Sequence, residues 1–338
     1  MPRIDLIYKT RNRIRIVKRN ADLMYCIKRL LNPDLFQGKN KKHNYFEGWY
    51  FRITDHKMEN TFAIIPGISI GEWDTHAFIQ VMDSNHNVSY YHYDLDEFQF
   101  NEKKFEIMIG ENYFSKSRIR LNIDGKHFNL QGDLYFSNIM EFPRSVFRPG
   151  VMGPFSFIPF MECRHDIISI QHDIIGHLKV SGKNMDFTGG IGYIEKDWGS
   201  SMPKSWTWFL SNHFQPDHVS LSVNIAHIPF LCTSFKGFII LFRYKDRIFL
   251  FTTYSGAWLK MFSSSKKQLK LKTRDCRFQL ELNISYADGG DIIAPVKGKM
   301  CRNITECSNA VVKLKFSDRK GNVLYEGIGT NGGLEIVT

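Results

Sequence analysis

From about residue 43 to the end of the chain, apolar and polar residues alternate in short stretches rich in aromatic and β-branched side chains. Alternation with a period of two is typical of a half-buried β-strand, because successive side chains of a strand point to opposite sides. No long stretch with the 3.6-residue period of a helix interrupts the pattern. We therefore predict strands at 44–54, 61–65, 76–82, 88–93, 104–110, 118–123, 127–136, 174–180, 185–194, 205–214, 219–227, 237–244, 248–254, 277–285, 291–300, 310–316 and 323–330.

Turn signals organise these strands into two groups. Asp124-Gly125 and Lys320-Gly321 lie beside predicted strands, as expected for hairpin turns. Residues 141–161 contain four prolines and two glycines, which indicates a long ordered crossover. Many short strands separated by turns are typical of β-sandwiches and β-barrels. We predict an all-β protein of two successive β-barrel or sandwich units, divided into 1–37 (basic arm and short helix), 38–165 (first unit with the crossover at 141–161) and 166–338 (second unit).

The N-terminal region has a different pattern. Residues 20–33 favour a short helix, because Asn20 is a suitable N-cap and Pro33 ends the segment. Residues 11–19 alternate basic and apolar side chains, which fits an edge strand, a segment lying on anionic lipid, or a solvated tail.

Charge separates this arm from the rest of the chain. Residues 1–42 carry twelve Lys and Arg against three Asp, a net +9 of the total +11, which leaves +2 for the remainder. A basic arm attracts nucleic acid, an anionic membrane or an acidic partner. Because the remainder shows no nucleic-acid-binding motif, we expect peripheral contact with an anionic membrane and no nucleic acid.

The search for targeting signals and the cysteine pattern limit the cellular location of the protein. Arginines interrupt every apolar stretch of the first 31 residues, and later apolar runs are too short to cross a bilayer. The six cysteines form no C-x-x-C pair, so we expect free thiols. We predict a cytoplasmic protein, with peripheral binding at the inner face of the membrane as the open alternative.

Residues 189–199 hold the densest candidate chemistry. This segment combines four glycines with a tyrosine, two acidic side chains and a tryptophan. A carboxylic acid beside aromatic faces can protonate a carbon–carbon double bond and shield the resulting cation. Strand alternation puts Tyr193, Glu195 and Asp197 on one face. Lys196 points to the other face, where we expect it to be solvated.

Each of these residues also has a structural interpretation. Burial in an apolar pocket would raise the pKa of Glu195, and a neighbouring carboxyl would raise it further. Glu195 could instead form a surface salt bridge, Asp197 could end the strand in a turn, and Tyr193 could simply line a barrel. The glycines do not follow a strand-to-helix turn, so we interpret them as bulges or close approaches rather than a phosphate site.

Tryptophans and histidines supply further candidates. The aromatic candidates for shielding a cation, with core packing as the alternative for each, are Trp198, Trp206 and Trp208. The candidate general bases, with a structural role as the alternative, are His165, His172 and His213. The twelve histidines form no tight cluster along the chain, so we expect no metal site.

Six blocks of the chain resemble the tocopherol cyclase family. They are Phe36-Gln-Gly38, Tyr45-Phe-Glu-Gly-Trp-Tyr-Phe51, Gly153-Pro-Phe-Ser-Phe157, Met161-Glu-Cys-Arg-His165, Gly189–Gly199 and Trp206–Phe214. The resemblance runs from about residue 34 to the C-terminus and leaves the basic residues 1–20 outside.

The resemblance implies a lipocalin-like fold of two barrels and an intramolecular cyclisation. In that family the tail double bond of a prenylated hydroquinone is protonated, and the phenolic oxygen attacks the tertiary cation to give a chromanol. The carotenoid 1,2-hydratases, which look distantly related, let water attack instead. The resemblance further implies that a Tyr-x-acid pair ahead of Trp-Gly supplies the proton, and the matching residues are Tyr193 and Glu195 before Trp198-Gly199.

We therefore predict a cofactor-free, tocopherol-cyclase-like isomerase acting on a prenylated phenol in an apolar, aromatic cavity. The predicted catalytic residues are Glu195, Tyr193, Asp197 and His213. The predicted substrate contacts are Trp198, Trp206, Trp208, Trp49, Glu47, His165 and Asn212. Glu47 could instead pair with an arginine from the other barrel. A non-catalytic isoprenoid carrier, and a hydratase or isomerase of another isoprenoid, remain open alternatives.

Overall fold

The computed structural model describes residue 25 and residues 27–125, 128–215, 219–230, 233–264 and 267–338. Most of these residues lie in β-strands, and residues 27–31 are helical. The prediction of an all-β fold with barrel-like units and a short N-terminal helix is confirmed. The basic residues 1–20 lie outside the described part, so their contact with a membrane stays a prediction. None of the described helices has the length and apolar character needed to cross a bilayer.

Twelve strands form the first sheet. They are β1 (Tyr45–Thr54), β2 (Thr61–Ile70), β3 (Thr75–Asp83), β4 (Val88–Tyr93), β5 (Phe98–Phe100), β6 (Glu106–Ile109), β7 (Asn112–Ser115), β8 (Arg118–Asp124), β9 (Asn129–Met140), β10 (Cys163–Val180), β11 (Lys183–Asp186) and β12 (Gly190–Gly199). Their spatial order is β4-β3-β2-β1-β12-β10-β9-β8-β7-β6-β5, and β11 pairs with β10.

Eleven strands form the second sheet. They are β13 (Trp206–Ser211), β14 (His213–Phe214), β15 (Val219–Phe230), β16 (Thr233–Tyr244), β17 (Arg247–Thr252), β18 (Trp258–Ser264), β19 (Gln268–Arg274), β20 (Phe278–Ser285), β21 (Gly290–Val296), β22 (Lys299–Asp318) and β23 (Val323–Val337). Their order is β17-β16-β15-β13-β23-β22-β20-β19-β18, with β14 beside β23 and β21 beside β22.

Both sheets follow one plan. In each, the first strand pairs with the last, β1 with β12 and β13 with β23. In each sheet, the two strands at opposite ends of the spatial order follow one another in the chain. A short 3₁₀ turn joins them, Leu95–Glu97 between β4 and β5 and Thr253–Ser255 between β17 and β18. This arrangement curls each sheet around an interior of its own.

Three apolar clusters follow from this curling. One fills the interior of the first sheet around Trp49, Phe51 and Phe114, and a second fills the interior of the second sheet around Phe209 and Phe242. The third lies where the outer faces of the two sheets meet, and its members include Tyr50, Tyr193, Trp206, Trp208 and Ile304. Strands at that contact are buried on both faces, which is why β1 and β13 contain few exposed residues.

The boundary between the sheets differs from the predicted division of the chain. The prediction placed the change of unit at residue 165, but β10 to β12 complete the first sheet, and the second begins at Trp206. The change of sheet therefore lies between Gly199 and Trp206, because β1 needs β12 as its neighbour. A change of sheet is not by itself a domain boundary, so the division into domains stays a prediction.

The strand predictions have specific gaps. The stretch at 185–194 is two strands, β11 and β12, separated at Phe187–Gly189 by a turn. Strands β5, β7, β18 and β19 were not predicted. In β19, buried and exposed positions do alternate, but lysines occupy its exposed face and weaken the apolar signal.

Residues 141–161 form an ordered crossover between β9 and β10, with a 3₁₀ turn at Gly153–Phe157. Asp166 of β10 anchors it, accepting hydrogen bonds from Val151 N at 2.8 Å and from Arg144 Nη2 at 2.7 Å. Arg144 Nη2 also bonds Asp34 Oδ1 at 2.5 Å, which ties the N-terminal segment to the same point. The crossover is thereby held against the edge of the contact between the sheets.

Candidate active site between the two sheets

A cavity of about 190 Å³ lies between the outer faces of the two sheets. Its walls are mainly apolar and aromatic, as predicted, and both sheets contribute. Trp206 and Trp208 of β13 face Tyr50 of β1 across it, with the rings of Tyr50 and Trp208 in edge contact at 5.1 Å. The crossover adds Met152, and β12 adds the acidic groups described next.

Glu195 reaches this cavity from β12, and it is 4% exposed. Tyr193 donates a hydrogen bond from its hydroxyl to Glu195 Oε2 at 2.6 Å, and Trp208 donates one from Nε1 to the same oxygen at 3.1 Å. Two donors therefore hold Oε2. In the described residues no hydrogen bond is assigned to Oε1, so Oε1 is the oxygen on which a transferable proton can reside.

His165 and Asp197 complete the acidic side of the cavity. His165 Nδ1 lies 3.1 Å from Asp197 Oδ1, and its Nε2 lies 4.0 Å from Glu195 Oε2. Within the described chain, this buried Nε2 has no hydrogen-bond partner. Strand pairing brings these side chains together, since His165 of β10 is opposite Asp197 of β12, and Glu195 lies two positions before Asp197 on the same face.

Burial and charge set the protonation of this group. Burial is the largest effect on Glu195 and raises its pKa to about 7, although the His165 charge opposes it. Burial alone would lower the pKa of His165, but the charge and hydrogen bond of Asp197, with Glu195 beyond it, raise it to about 9. Near neutral pH the cavity therefore presents an imidazolium paired with Asp197 beside a carboxylic acid poised to release its proton.

Two more buried carboxyls reach the contact from the second sheet. Glu306 Oε1 accepts a hydrogen bond from the Tyr50 hydroxyl at 2.5 Å, and burial raises the pKa of Glu306 to about 7 despite Arg52 nearby. Glu335 Oε2 accepts a hydrogen bond from Trp206 Nε1 at 2.5 Å. Burial, with the charge of Glu306, holds the pKa of Glu335 well above its ordinary value.

The two sheets are also joined by direct polar contacts. Gln80 of β3 pairs with the backbone of Ile293, donating from Nε2 to Ile293 O at 2.9 Å and accepting from Ile293 N at 2.8 Å. Arg52 of β1 donates from Nη2 to Ser308 O at 2.5 Å and to Asn331 O at 2.9 Å. These bonds hold both walls of the cavity at a set distance.

Five predicted site residues line this cavity, and a sixth supports it. They are Glu195, Asp197, His165, Trp206 and Trp208, with Tyr193 bonded to Glu195 just behind. The expectation that Tyr193, Glu195 and Asp197 share one face agrees with the register of β1 and β12. Their chemical roles stay predictions.

The opposite face of β12 points into the first sheet, and Lys196 lies there. The expectation that Lys196 is solvated is wrong, because it is 0% exposed and forms an ion pair with Glu47 at 2.6 Å. Its Nζ also donates to Pro33 O at 2.8 Å and to Leu35 O at 2.7 Å. The interior of a curled sheet buries the second face of the strand, so a polar side chain there needs internal partners.

Three predicted substrate contacts lie with Lys196 rather than in the cavity. Glu47 is bonded by Lys196, by Tyr45 Oη at 2.5 Å and by Gln37 N, so its partner is not an arginine of the other sheet. Trp49 and Trp198 place their rings within 5.0 and 4.9 Å of Lys196 Nζ. These residues are part of the interior of the first sheet.

Asn212, His213 and His172 are also separate from the cavity. Asn212 Nδ2 donates to Gly192 O at 3.1 Å. His213 is buried, and burial followed by the Arg52 charge lowers its pKa to about 4. His172 bonds Ser169 through Nδ1 at 2.8 Å, and burial lowers its pKa to about 3. His172 also explains Gly192, since a Cβ there would lie 2.0 Å from His172 Nε2.

Sequence reasoning missed Tyr50, Glu306 and Glu335. Tyr50 lies in a block already singled out, but only its neighbours Glu47 and Trp49 were chosen. The available signal for Glu335 was an isolated acid in the apolar strand Gly333-Leu-Glu-Ile-Val337. That signal does not say which surface the acid meets.

Among the residues that the structure describes, two groups of side chains have the composition of metal ligands. One is His165, Glu195 and Asp197, and the other is Asp74, His76 and His92 at the β3–β4 edge. In the first group, the Glu195 oxygen nearest His165 already accepts two hydrogen bonds, so this arrangement fits proton transfer better than metal binding. Spacing along the chain gave no hint of the second group, which β-pairing brings together.

Fold and cavity together define a protein of two curled β-sheets with a buried acid at their contact. The chain belongs to the tocopherol cyclase-like family, whose model matches residues 136–338, more than half of the chain. The predicted resemblance to this family is thus confirmed over that range. A comparison with curated proteins found no match.

Solved structures share the fold at low sequence identity. A Nitrosomonas europaea protein described as an AttH has a TM-score of 0.53 and 13% identity, over 87% of this chain and 93% of that one. CghA bound to Sch210972 has a TM-score of 0.57 and 9% identity, over 87% of this chain and 88% of that one. CghA without that compound has a TM-score of 0.56 and 10% identity, over the same shares of each chain.

Proposed function

We propose that this protein is an acid-catalysed cyclase that closes a prenylated phenol to a chromanol, with Glu195 as the proton donor. The observation that carries the proposal is the geometry of Glu195, a buried carboxyl held at one oxygen by Tyr193 and Trp208 inside an aromatic cavity. The family membership supports the reaction class. The identities of the reaction and the substrate belong to the proposal.

The first step is transfer of the Glu195 Oε1 proton to the less substituted carbon of the prenyl double bond. A pKa of about 7 leaves a large fraction of Glu195 protonated near neutral pH. The Tyr193 and Trp208 donors then stabilise the carboxylate that forms, because hydrogen bonds to a charged acceptor are the stronger ones. The tertiary cation forms in the cavity lined by Trp206 and Trp208, whose aromatic rings attract positive charge.

The second step is attack by the phenolic oxygen on the tertiary carbon. His165 is protonated, with its pKa raised to about 9, so it cannot be the base for the phenol proton. Its Nε2–H instead donates a hydrogen bond to the substrate oxygen. The carboxylate of Glu195 takes up the phenol proton, so that one proton enters and one leaves, and substrate and product are isomers.

The test is turnover of a prenylated hydroquinone by purified protein in D₂O. Wild type should give a chromanol that is an isomer of the substrate, with deuterium in place of hydrogen at the carbon that was protonated. Glu195→Gln keeps an acceptor for Tyr193 and Trp208 but has no acidic proton, so we expect the rate to fall about 10²- to 10⁴-fold with binding retained. Full activity of that variant would refute Glu195 as the donor.

Glu281→Gln is the matched control, because Glu281 lies on the second sheet and pairs with Lys272 at the surface. That variant should turn over like wild type. Two other outcomes decide between the remaining functions. A product heavier by one water would favour a hydratase, for which the same Glu195 proton transfer precedes attack by water. Saturable binding without turnover of any prenylated phenol would favour an isoprenoid carrier.

A further inference from the structure

A second cavity, here called the vestibule, adjoins the catalytic cavity. Its volume is about 700 Å³, and the residues that matter for its chemistry are Arg29, Lys41, Arg164, His165, Asp166 and Met161. His165, Met152 and Met161 line both cavities, so these three side chains form the boundary between them. A ligand that passes this boundary lies against His165 on either side.

The catalytic cavity alone is small for the proposed substrate. Pockets that hold drug-sized ligands have volumes of about 300–1,000 Å³. The catalytic cavity has about 190 Å³, whereas the vestibule has about 700 Å³. A prenylated phenol whose double bond reaches Glu195 therefore extends past Met152 and Met161 into the vestibule.

The vestibule is positively charged. Arg29, Lys41 and Arg164 contribute cationic groups to its wall. The acidic side chain of the wall is Asp166, and its carboxylate is already engaged by Arg144 at 2.7 Å and by Val151 N at 2.8 Å. The charged side chains that line the vestibule therefore sum to a net positive charge.

Arg164 is the cation of this wall on which the charge argument depends. It is half-buried beside His165 on β10, and its Nη2 donates to Ile158 O at 2.8 Å. Across the described stretches of the chain no carboxylate forms an ion pair with it. Half-buried arginines are normally paired with an anion, because removing the charge from water has a cost that a neutral carbonyl only partly offsets.

From these observations we infer that the substrate is a prenylated phenolic acid, whose prenyl group enters the catalytic cavity and whose carboxylate lies in the vestibule against Arg164. The inference rests on the proposed function for the reacting end of the molecule. It adds the acidic head group, which that function does not require. Arg164 acts here as a binding residue and takes no part in proton transfer.

The test compares two ligands that differ only in charge, 4-hydroxy-3-prenylbenzoic acid and its carboxamide. Binding is followed through the intrinsic tryptophan fluorescence, to which Trp206 and Trp208 of the catalytic cavity and Trp198 of the vestibule contribute. We expect wild type to bind the acid roughly tenfold more tightly than the amide, since hydrogen bonds to charged groups are the stronger ones. Arg164→Gln should remove this preference and leave the Kd of the amide unchanged. Added salt should weaken binding of the acid only.

Lys183→Gln, which removes an exposed charge on β11, is the control and should keep the preference. If Arg164→Gln does not fold, Lys41→Gln at the exposed rim should still reduce the preference in part. Equal affinities of acid and amide in wild type would overturn the inference, as would no binding of either ligand. Glu195→Gln separates the two proposals, because it should lose turnover yet keep the preference for the acid.

Discussion

The interior of the first sheet holds the Lys196–Glu47 ion pair and the chain segment 33–37, whereas the apolar cluster around Phe209, Phe242 and Phe316 fills the interior of the second. The strand plans are the same, with first strand beside last and a 3₁₀ turn between the open ends. The two interiors differ in what they contain. The first binds the backbone of residues 33–37 through polar side chains, whereas the second is filled by apolar side chains of its own strands.

This comparison explains why the candidate chemistry lies outside both interiors. In the first sheet the charged groups of the interior, Lys196 and Glu47, are engaged by one another, and Lys196 also donates to Pro33 O and Leu35 O. At the contact between the sheets, Glu195 Oε1 and His165 Nε2 are left available. Groups that remain available inside an apolar cavity are the ones that can act on a ligand.

The largest expected effect comes from breaking the interior ion pair. Lys196→Met should lower the free energy of unfolding by about 3–5 kcal/mol, because it leaves the Glu47 charge buried without its partner. Urea unfolding at neutral pH measures it. The matched change in the second interior, Leu282→Met, should lower the free energy of unfolding by less than about 1.5 kcal/mol, because the volume and polarity of the side chain are nearly kept.

A second variant makes this result specific to charge. Adding Glu47→Gln to Lys196→Met removes the unpaired charge and keeps an acceptor for Tyr45 and Gln37, so it should recover part of the lost stability. If Lys196→Met lowered the free energy of unfolding no more than Leu282→Met does, the buried charge of the first interior would not distinguish it from the second.

The next effect concerns pH and belongs to the contact between the sheets. The folded-state pKa of His165 is raised from 6.5 to about 9, so the stabilisation is complete below pH 6.5 and is lost as the pH rises through 9. We expect the free energy of unfolding to fall by about 1–3 kcal/mol between pH 6.5 and 9, given about 1.4 kcal/mol per unit of pKa shift. Urea midpoints at constant ionic strength give this slope.

His165→Asn should reduce that pH dependence, and a slope of the same sign should remain because the pKa values of Glu195, Glu306 and Glu335 are also raised. His177→Asn, which replaces an exposed histidine of the first sheet, should leave it unchanged. A slope in His165→Asn as steep as that of wild type would show that His165 does not contribute to it.

The smallest expected effect is on the pKa of Glu195 itself. The Tyr193 hydroxyl bonds the Glu195 carboxylate and thereby lowers its pKa. Tyr193→Phe should therefore raise the pKa of Glu195 by up to about one unit, the equivalent of one hydrogen bond of about 0.5–1.5 kcal/mol. Infrared difference spectra of the protonated carboxyl, recorded against pH, measure the shift without relying on turnover.

Tyr325→Phe is the counterpart in the second sheet, because its hydroxyl bonds Gln215 O at 3.1 Å and no carboxyl. This variant should leave the pKa of Glu195 unchanged. An unchanged pKa in Tyr193→Phe would mean that Trp208 alone holds the carboxylate.

Much of the site could be predicted from β12. A period of two is a local property, so it correctly put Tyr193, Glu195 and Asp197 on one face and Lys196 on the other. It did not say that the second face is buried too, because closure of the first sheet decides that. The same limit applies to Trp198, whose face was predictable and whose surroundings, beside Lys196, were not.

Residues distant in the chain were beyond reach of such patterns. Trp206 and Glu335 are 129 positions apart, and their hydrogen bond exists only because β13 pairs with β23. Tyr50 and Glu306 are 256 positions apart and meet only where the two sheets pack. His213 lies in a family-like block, yet β14 carries it to a buried position beside Arg52 rather than to Glu195.

The sequence by itself determined that this chain forms strands, which side chains share a strand face, and which family it resembles, since all three depend on neighbouring residues. Only the tertiary structure decided that the chemistry lies between the sheets, because the closure of each sheet makes one face an interior and leaves the other to meet a partner. The acid at Glu195 was visible in the sequence. The cavity around it, to which the second sheet adds Trp206, Trp208 and Glu335, required both sheets.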